Sequence, residues 1–340
     1  MLSTRARISE EVPKMNNKEP ILEVKNLEVA FHVRAGVTHA VNGISYTLHK
    51  GETLGIVGES GCGKTVSSMA LLKLISMPPG KIEKGSAVYQ GKTDLVQFSN
   101  RQLRPFRGKE IAVIFQDPMT AFNQVMTIGD QMCEGYMTHF KATRKEAMKE
   151  AERLMELTGI PSPAARLKDY PSQFSGGMRQ RAMIAMALMC KPGILIADEP
   201  TTALDVTIQS QILNLMKDLK KELGTSIMWV SHDLGVVAGL ADTVNVMYAG
   251  QIVESAPVDD LYYQPMHPYT KGLLASLPST DVDVEAHRLS SIGGYPPILD
   301  HEITSCPFAP RCSCACEKCR QECPSLKDVG NGHKVACFNA

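Results

Sequence analysis

The chain contains the run Gly58-Glu59-Ser60-Gly61-Cys62-Gly63-Lys64-Thr65. This run fits the phosphate-binding pattern G-x-x-x-x-G-K-[S/T] at every fixed position. The apolar residues 53–57 before it predict a buried strand, and residues 66–74 after it predict a helix. A strand, a glycine-rich turn and a helix together form a P-loop, in which backbone N–H groups and the positive end of the helix face a phosphate.

The loop offers two kinds of group to a nucleoside triphosphate. Its glycines let the backbone approach a phosphate closely, because no Cβ stands in the way. Lys64 adds a positive charge for the β- and γ-phosphates, and the Thr65 hydroxyl can hold Mg²⁺. An accidental glycine-rich turn is the alternative, and the flanking strand and helix disfavour it. The residues predicted to bind the nucleotide here are Ser60, Gly61, Cys62, Gly63, Lys64, Thr65 and Val66.

Length and charge limit the possible classes of protein. A chain of 340 residues allows one large domain and a smaller appendage. Its 36 basic and 36 acidic residues balance, so no overall field favours nucleic acid or an anionic membrane. No window is apolar for long enough to span a bilayer. Residues 1–20 are polar and charged, and we expect a disordered tail there rather than a signal peptide or an anchor.

The middle of the chain predicts a helical insertion into an α/β core. Short apolar strands are indicated at residues 111–115 and 194–197, and the section between them changes character. From about 119 to 190 we expect helices and no strand. One of these helices should begin at Thr143, because Thr143 and Glu146 have the spacing of a capping box.

Polar side chains follow three of the predicted strands. Asp198 and Glu199 come directly after the strand at 194–197, Gln116 follows the strand at 111–115, and His232 follows residues 226–230. Ligands of open α/β sheets bind at the carboxyl ends of the strands. Asp198 is therefore predicted to hold Mg²⁺ with Thr65, and Glu199 to polarise an attacking water. The alternative for each residue considered by itself is a solvent-exposed side chain: a turn histidine for His232 and a surface amide for Gln116.

A second glycine-rich helix start lies at Ser175-Gly176-Gly177. Exposed N–H groups at a helix N-terminus bind anions, as they do in the P-loop. This site lies far from the P-loop along the chain, so one chain is not expected to direct both at the same γ-phosphate. Two chains arranged head to tail could do so.

These motifs together resemble the ATPases of ABC transporters. The resemblance covers roughly residues 21–277 and comprises Walker A, the Q-loop at Gln116, a signature at 174–178, Walker B ending in Asp198-Glu199, the D-loop at 203–205 and the switch histidine His232. It implies a P-loop α/β core with ATP and Mg²⁺ as ligands. Gln116 would then also serve Mg²⁺, and Gln116 and His232 would sense the γ-phosphate. Phe31 matches the aromatic residue that stacks on adenine, and a strand-core phenylalanine is the alternative.

The resemblance is closest to the ATP-binding subunits of dipeptide and oligopeptide permeases. It rests on residues 173–181, 197–207 and 267–274. It implies ATP hydrolysis that powers peptide uptake, a heterodimer with a second ATPase, two membrane-spanning permease subunits and a solute-binding protein. The chain would lie peripherally on the cytoplasmic face of the membrane. A nickel or other small-solute importer of the same branch, and a soluble ABC ATPase, are the alternatives.

Seven of the ten cysteines lie in the C-terminal extension, which we place at residues 278–340. Without an export signal a reducing compartment is expected, so a metal or cluster site is favoured over disulfides. The spacing matches neither common ferredoxin pattern and also allows Zn²⁺. The permease branch has a similar cysteine motif associated with a [4Fe-4S] cluster. The resemblance implies as ligands Cys306, Cys312, Cys319 and Cys337.

Overall fold

The computed structural model describes residues 19–202, 204–277 and 292–340. The strands are β1 Pro20–Val33, β2 Gly36–His49, β3 Thr53–Val57, β4 Gly80–Tyr89, β5 Thr93–Asp94, β6 Ile111–Ile114, β7 Ile194–Asp198, β8 Ser226–Ser231, β9 Thr243–Tyr248, β10 Gln251–Pro257, β11 Lys327–Gly330 and β12 His333–Val335. The helices are α1 Lys64–Ala70, α2 Asn100–Leu103, α3 Pro118–Ala121, α4 Ile128–Phe140, α5 Arg144–Leu157, α6 Pro163–Arg166, α7 Gly176–Leu188, α8 Val206–Leu223, α9 Leu234–Ala238, α10 Val258–Tyr263, α11 Pro268–Ala275 and α12 Glu317–Gln321.

The core is an eight-stranded sheet in the order β11-β12-β10-β9-β3-β8-β7-β6. The strands from β9 to β6 run parallel to one another. Strands β3, β7 and β8 are buried along their whole length, which explains why their sequences are continuously apolar between the strand ends rather than alternating. Because these strands are parallel, their carboxyl ends lie along one edge and bring the polar residues that follow them together.

A second, antiparallel sheet packs on this core in the order β2-β1-β4-β5. One continuous cluster of buried side chains joins the two sheets, and it includes Leu27 from β1 and Ile56 from β3. Strand β2 extends over fourteen residues, Gly36–His49. Strand β4 had no counterpart in the sequence analysis. Both strands contain many polar and small residues, so their sequences lack the alternation of apolar and polar residues that predicts a strand.

Between β6 and β7, where every residue is described, the chain forms only helices and turns. Helix α5 begins at the expected capping box, in which Thr143 accepts from the Glu146 N–H and Glu146 accepts from the Thr143 N–H. Its face formed by Ala147, Ala151 and Leu154 is fully buried. The fold is thus an α/β P-loop fold with helices inserted into the core, as the sequence predicts.

The C-terminal extension adds β11 and β12 to the core sheet. Strand β12 pairs with β10 through Glu254 and Val335. Beside this pairing, the buried Glu254 accepts a hydrogen bond of 2.8 Å from the His333 ring. Polar residues such as these are not read as core positions from sequence, which is why the pairing was missed.

Parts of the expected domain plan lie outside the described residues. These parts are residues 1–18 of the expected tail, Ala203 of the D-loop and residues 278–291 of the extension. Pro20 already belongs to β1, so this strand begins one residue before the expected bound at residue 21. Among the described helices, none combines the length and the apolar character needed to cross a bilayer.

Candidate nucleotide site

The P-loop connects β3 to α1, and two of its glycines are required by close backbone approaches. Gly63 has φ +97°, and a Cβ there would lie 2.2 Å from the Ala40 carbonyl oxygen. At Gly58, with φ +155°, a Cβ would lie 2.2 Å from the Met247 carbonyl oxygen. Any larger residue would push the loop away from these two neighbouring strands. The tight packing against β2 and β9 therefore holds the loop in its shape.

Lys64 begins α1 at the end of the loop, and it is 4% exposed. Its ammonium donates hydrogen bonds of 2.8 Å to the Gly58 carbonyl and 2.9 Å to the Glu59 carbonyl. It also lies 4.0 Å from a Glu199 carboxylate oxygen. The loop carbonyls thus orient the charge of Lys64 towards the cavity in which the strands end.

The predicted magnesium ligands Thr65 and Asp198 are in direct contact. The Thr65 hydroxyl donates a hydrogen bond of 2.9 Å to Asp198 Oδ1. Burial raises the pKa of Asp198 above its usual range, and the Thr65 hydrogen bond opposes this. A hydroxyl and a carboxylate are oxygen ligands of the kind that Mg²⁺ prefers. This pair therefore fits the ion that the P-loop chemistry requires.

Glu199 joins the other predicted catalytic residues. Its Oε2 atom lies 3.2 Å from Gln116 Nε2, 3.1 Å from His232 Nδ1 and 3.0 Å from Thr202 Oγ1. Its backbone has φ +45°, a conformation that a non-glycine residue rarely adopts. Such strain is concentrated at functional sites. Three strand ends, those of β6, β7 and β8, thus converge on one carboxylate.

A cavity of about 680 Å³ opens in front of these residues. Gln116, Glu199 and His232 line it together with most of the P-loop. The cavity residues are Thr38, Ala40, Glu59, Ser60, Gly61, Gly63, Lys64, Thr65, Val66, Gln116, Glu199, Thr202, His232, Leu273 and Leu299. Two predicted residues, Cys62 and Asp198, are buried and do not line the cavity. Burial raises the pKa of the Cys62 thiol, so this residue offers its backbone rather than a thiolate.

Phe31 and the signature residues do not line this cavity. Phe31 lies on β1, half-buried, with its ring next to Gly80. Ser175 and Gly176 are exposed at the start of α7, where the Ser175 hydroxyl accepts from the Met178 N–H. The adenine and signature roles of these residues therefore stay predictions.

The structure also adds cavity residues that the sequence analysis missed. Thr38 and Ala40 come from β2, Leu273 from α11 and Leu299 from the C-terminal extension. The Leu299 carbonyl accepts a hydrogen bond of 2.7 Å from the His39 N–H, which ties the extension to this wall. None of these residues carries a local signal, because only the folded chain brings them to the cavity.

The cysteines of the extension are near one another without forming a metal-binding group. All ten cysteines are free thiols. Cys316 Sγ and Cys319 Sγ are 3.4 Å apart, and the Cys306 N–H donates to the Cys319 carbonyl. Within residues 19–202, 204–277 and 292–340, no three His, Cys, Asp or Glu side chains are arranged to hold a metal ion. The arrangement therefore does not support the expected cluster or zinc site.

Comparison with known families accounts for most of the chain. Residues 41–202 match the ABC transporter family, and residues 253–319 match the C-terminal region of oligopeptide/dipeptide transporters. The oligopeptide transport ATP-binding protein OppD of Bacillus subtilis is 51% identical over 315 residues, which cover 93% of this chain and 87% of that protein. The dipeptide transport ATP-binding protein DppD of the same organism is 48% identical over 320 residues, which cover 94% and 95%.

Solved structures agree with the fold. The ATP-binding cassette MJ0796 bound to ADP and Pi is 22% identical, with a TM-score of 0.62 over 70% of this chain and 98% of that one. The structure of cbiO1 from Clostridium perfringens, part of the ABC transporter complex cbiONQ, is 26% identical, with a TM-score of 0.61 over 73% and 92%. From its motifs, its fold and these relatives, the chain belongs to the ABC-transporter ATPases, in the family of oligopeptide and dipeptide transport ATP-binding proteins.

Proposed function

We propose that this chain hydrolyses ATP to power the import of short peptides through separate membrane-spanning permease subunits. The observation that carries the proposal is the convergence of Gln116, His232 and Lys64 on the Glu199 carboxylate beside the P-loop. The relatives named for oligopeptide and dipeptide transport support the peptide cargo, because they match nearly the whole chain.

Nucleotide binding would use the loop between β3 and α1. The backbone amides of the loop from Ser60 to Val66 and the Lys64 ammonium hold the phosphates, while Thr65 and Asp198 hold Mg²⁺. The bound ion neutralises charge on the phosphates. Phe31 would stack on the adenine ring from the neighbouring antiparallel sheet. Gln116 would add its amide oxygen to the magnesium ligands.

Glu199 would act as the general base. Its carboxylate accepts a proton from the attacking water, while the hydrogen bonds from Gln116, His232 and Thr202 orient it. Gln116 and His232 lie on the cavity side of Glu199, where they can sense the γ-phosphate. The Lys64 ammonium holds the negative charge that develops on the phosphoryl oxygens.

A second ATPase subunit would complete the site. Ser175, Gly176 and Gly177 lie outside the cavity, and the first two are exposed, which leaves their N–H groups open to the nucleotide of a partner. In a head-to-tail heterodimer each ATP would lie between one P-loop and the other chain's signature. Closure of the dimer would move the permease subunits through contacts near Gln116. The chain would then work peripherally at the cytoplasmic face of the membrane, with a solute-binding protein delivering the peptide.

The test is a pull-down from detergent-solubilised native membranes with tagged Glu199→Gln protein, ATP and Mg²⁺. We expect two multispanning proteins and a second P-loop subunit, identified by mass spectrometry, and none of these without ATP or with a Lys64→Ala control. Recovery of ribosomal or DNA-repair proteins without membrane partners would contradict transport and favour a soluble ABC ATPase. A co-purified nickel-binding rather than peptide-binding protein would contradict the peptide cargo.

We also propose, from the resemblance alone, that Cys306, Cys312, Cys319 and Cys337 bind a [4Fe-4S] cluster. Iron and acid-labile sulfide are measured in anaerobically purified protein, with Cys314→Ser as the matched control for Cys319→Ser. The proposal expects about four of each in the wild type and the control, and a loss in Cys319→Ser. Stoichiometric zinc, with neither iron nor sulfide, would contradict the cluster and indicate a zinc site.

A further inference from the structure

Glu59, the second residue of the P-loop, is held on three sides. Its N–H donates a hydrogen bond of 2.9 Å to the Tyr269 hydroxyl, and its carbonyl accepts one of 2.9 Å from Lys64. Its carboxylate accepts from Arg311, at 2.7 Å and 2.9 Å. The backbone and the carboxylate of Glu59 are thus both anchored, and the anchored carbonyl is one of the two that orient Lys64.

Arg311 belongs to the cysteine-rich extension, and every nitrogen of its guanidinium has a partner. Nη1 and Nη2 bind the two Glu59 oxygens side by side, and Nε donates to the Gly293 carbonyl at 2.9 Å. Longer hydrogen bonds of 3.3 Å reach the Tyr248 hydroxyl and the Ile292 carbonyl. A planar guanidinium with this many partners has a single orientation, which a lysine cannot reproduce.

The part of the extension that carries Arg311 is anchored to the core. The Phe308 ring lies 5.2 Å from the Tyr248 ring and 5.4 Å from the Tyr269 ring. The Arg311 N–H donates to the Phe308 carbonyl at 3.0 Å. The aromatic cluster thus fixes Arg311 against the end of β9 and against α11, directly beside the loop.

Charge gives this contact a consequence for phosphate binding. Glu59 lines the nucleotide cavity, so an unpaired carboxylate there would repel a triphosphate. The side chains of Arg311 and Glu59 are only 5% and 25% exposed, so solvent screens the pair weakly. Arg311 therefore cancels a negative charge that would oppose the ligand, in addition to holding the loop.

We propose that Arg311 is a positioning residue for the P-loop: its bidentate contact neutralises Glu59 and fixes the Glu59–Lys64 unit for the triphosphate. The inference rests on the proposed ATP site and extends its control to the C-terminal extension. Arg311 contacts none of the reacting atoms, so its effect falls on ATP affinity rather than on the chemical step.

The experiment measures ATP binding to the full-length chain by titration calorimetry in Mg²⁺ buffer. Arg311→Met leaves Glu59 charged and unpaired, and we expect it to raise the Kd about tenfold or more. Glu59→Gln removes the repulsion but weakens the anchor, so its Kd should lie between those of wild type and Arg311→Met. The exposed Arg320→Met, in the same extension, is the matched control and should bind as wild type does.

The double variant separates positioning from a structural role. If Arg311 acts through Glu59, adding Glu59→Gln to Arg311→Met should restore most of the lost affinity, because the unpaired charge is removed. In the assembled transporter, Arg311→Met should raise the KM for ATP with kcat within about twofold of wild type. If Arg311 only stabilised the fold, Arg311→Met would lower the free energy of unfolding. It would then show neither the rescue by Glu59→Gln nor the rise in KM.

Two results would overturn the inference: an Arg311→Met Kd equal to wild type, or a double variant that binds no more tightly than Arg311→Met. Should Arg311→Met fail to fold, Arg311→Lys serves instead. This variant keeps the positive charge but loses the bidentate contact with Glu59. We therefore expect a Kd for ATP several-fold above that of wild type, and a Kd equal to that of wild type would contradict the inference. Wild-type protein that does not bind ATP would contradict the proposed function itself.

Discussion

The nucleotide site and the cysteine-rich extension differ in how their reactive groups are held. Gln116, Glu199 and His232 follow three neighbouring parallel strands, and the backbone hydrogen bonds of the sheet bring them to one carboxylate. Over residues 292–340, the described part of the extension forms the short strands β11 and β12, the 3₁₀ turn Ala309–Arg311 and the five-residue helix α12. A sheet edge positions side chains before any ligand arrives, whereas short turns position them much less.

The thiols of the extension show this difference in their ionisation. Burial raises the pKa of Cys306 to about 11. Backbone and side-chain hydrogen bonds from Cys319 lower the pKa of the half-buried Cys316 below its usual value. The pKa values of these two thiols are thus shifted in opposite directions, while the groups around Glu199 already share one acceptor. The comparison indicates that the parallel sheet preorganises the P-loop side, and that the extension reaches the loop through the contact of Arg311 with Glu59.

The largest expected effect tests the preorganised side. Glu199→Gln keeps the size of the side chain and removes the base, so we expect ATP hydrolysis to fall by about 10²–10⁴-fold. ATP binding should persist, since Lys64 and the loop amides are intact. Steady-state hydrolysis by the assembled transporter and ATP titration measure the two effects. A turnover equal to that of wild type would show that Glu199 is not the general base. It would also show that the groups gathered at the sheet edge are not preorganised for hydrolysis.

A smaller effect is expected when the loop backbone is displaced. Gly63→Ala would place a Cβ 2.2 Å from the Ala40 carbonyl, and we expect an ATP Kd about 100-fold higher because the loop must shift. Gly43→Ala is the matched control, with φ +74° and no heavy atom within 4 Å. Its strain of about 1 kcal/mol should lower stability and leave the Kd unchanged. Equal Kd values in the two variants would show that the loop is not held by β2.

The smallest effect concerns the junction between the two regions, where His267 packs next to Phe308 and accepts from the Tyr269 N–H. Burial lowers the pKa of His267 to about 4 in the folded state. The unfolded chain, with a pKa of about 6.5, then binds the proton first as the pH falls. The stability from neutral His267 is complete above pH 6.5 and is lost between pH 6.5 and 4.

Urea unfolding at pH 7 and pH 5 measures this loss. Wild type should lose about 2 kcal/mol more than His267→Asn, which keeps an N-cap acceptor and does not titrate. Parallel losses in the two proteins would show that His267 is protonated in the fold and that the junction is open to water.

Local motifs were the predictable part of this molecule. The P-loop and the capping box at Thr143 each depend on backbone conformation within a few residues, which residue type and spacing determine. The burial of β7 followed from its uninterrupted apolar run. Strand β4 and the pairing of β12 were missed because their polar residues become core neighbours only through distant partners.

The prediction that the chain binds a nucleoside triphosphate needed the amino-acid sequence alone. The glycines, Lys64 and Thr65 bind phosphate and Mg²⁺ from a short loop whose conformation its own residues set. The sequence also placed Asp198, Glu199, Gln116 and His232 after strands. The folded chain was needed to show that Gln116 and His232 share the Glu199 carboxylate as acceptor. It was also needed to show that the extension lines the cavity through Leu299 and binds Glu59 through Arg311. Such contacts join residues far apart in the chain, and their energy depends on a geometry that no local pattern encodes.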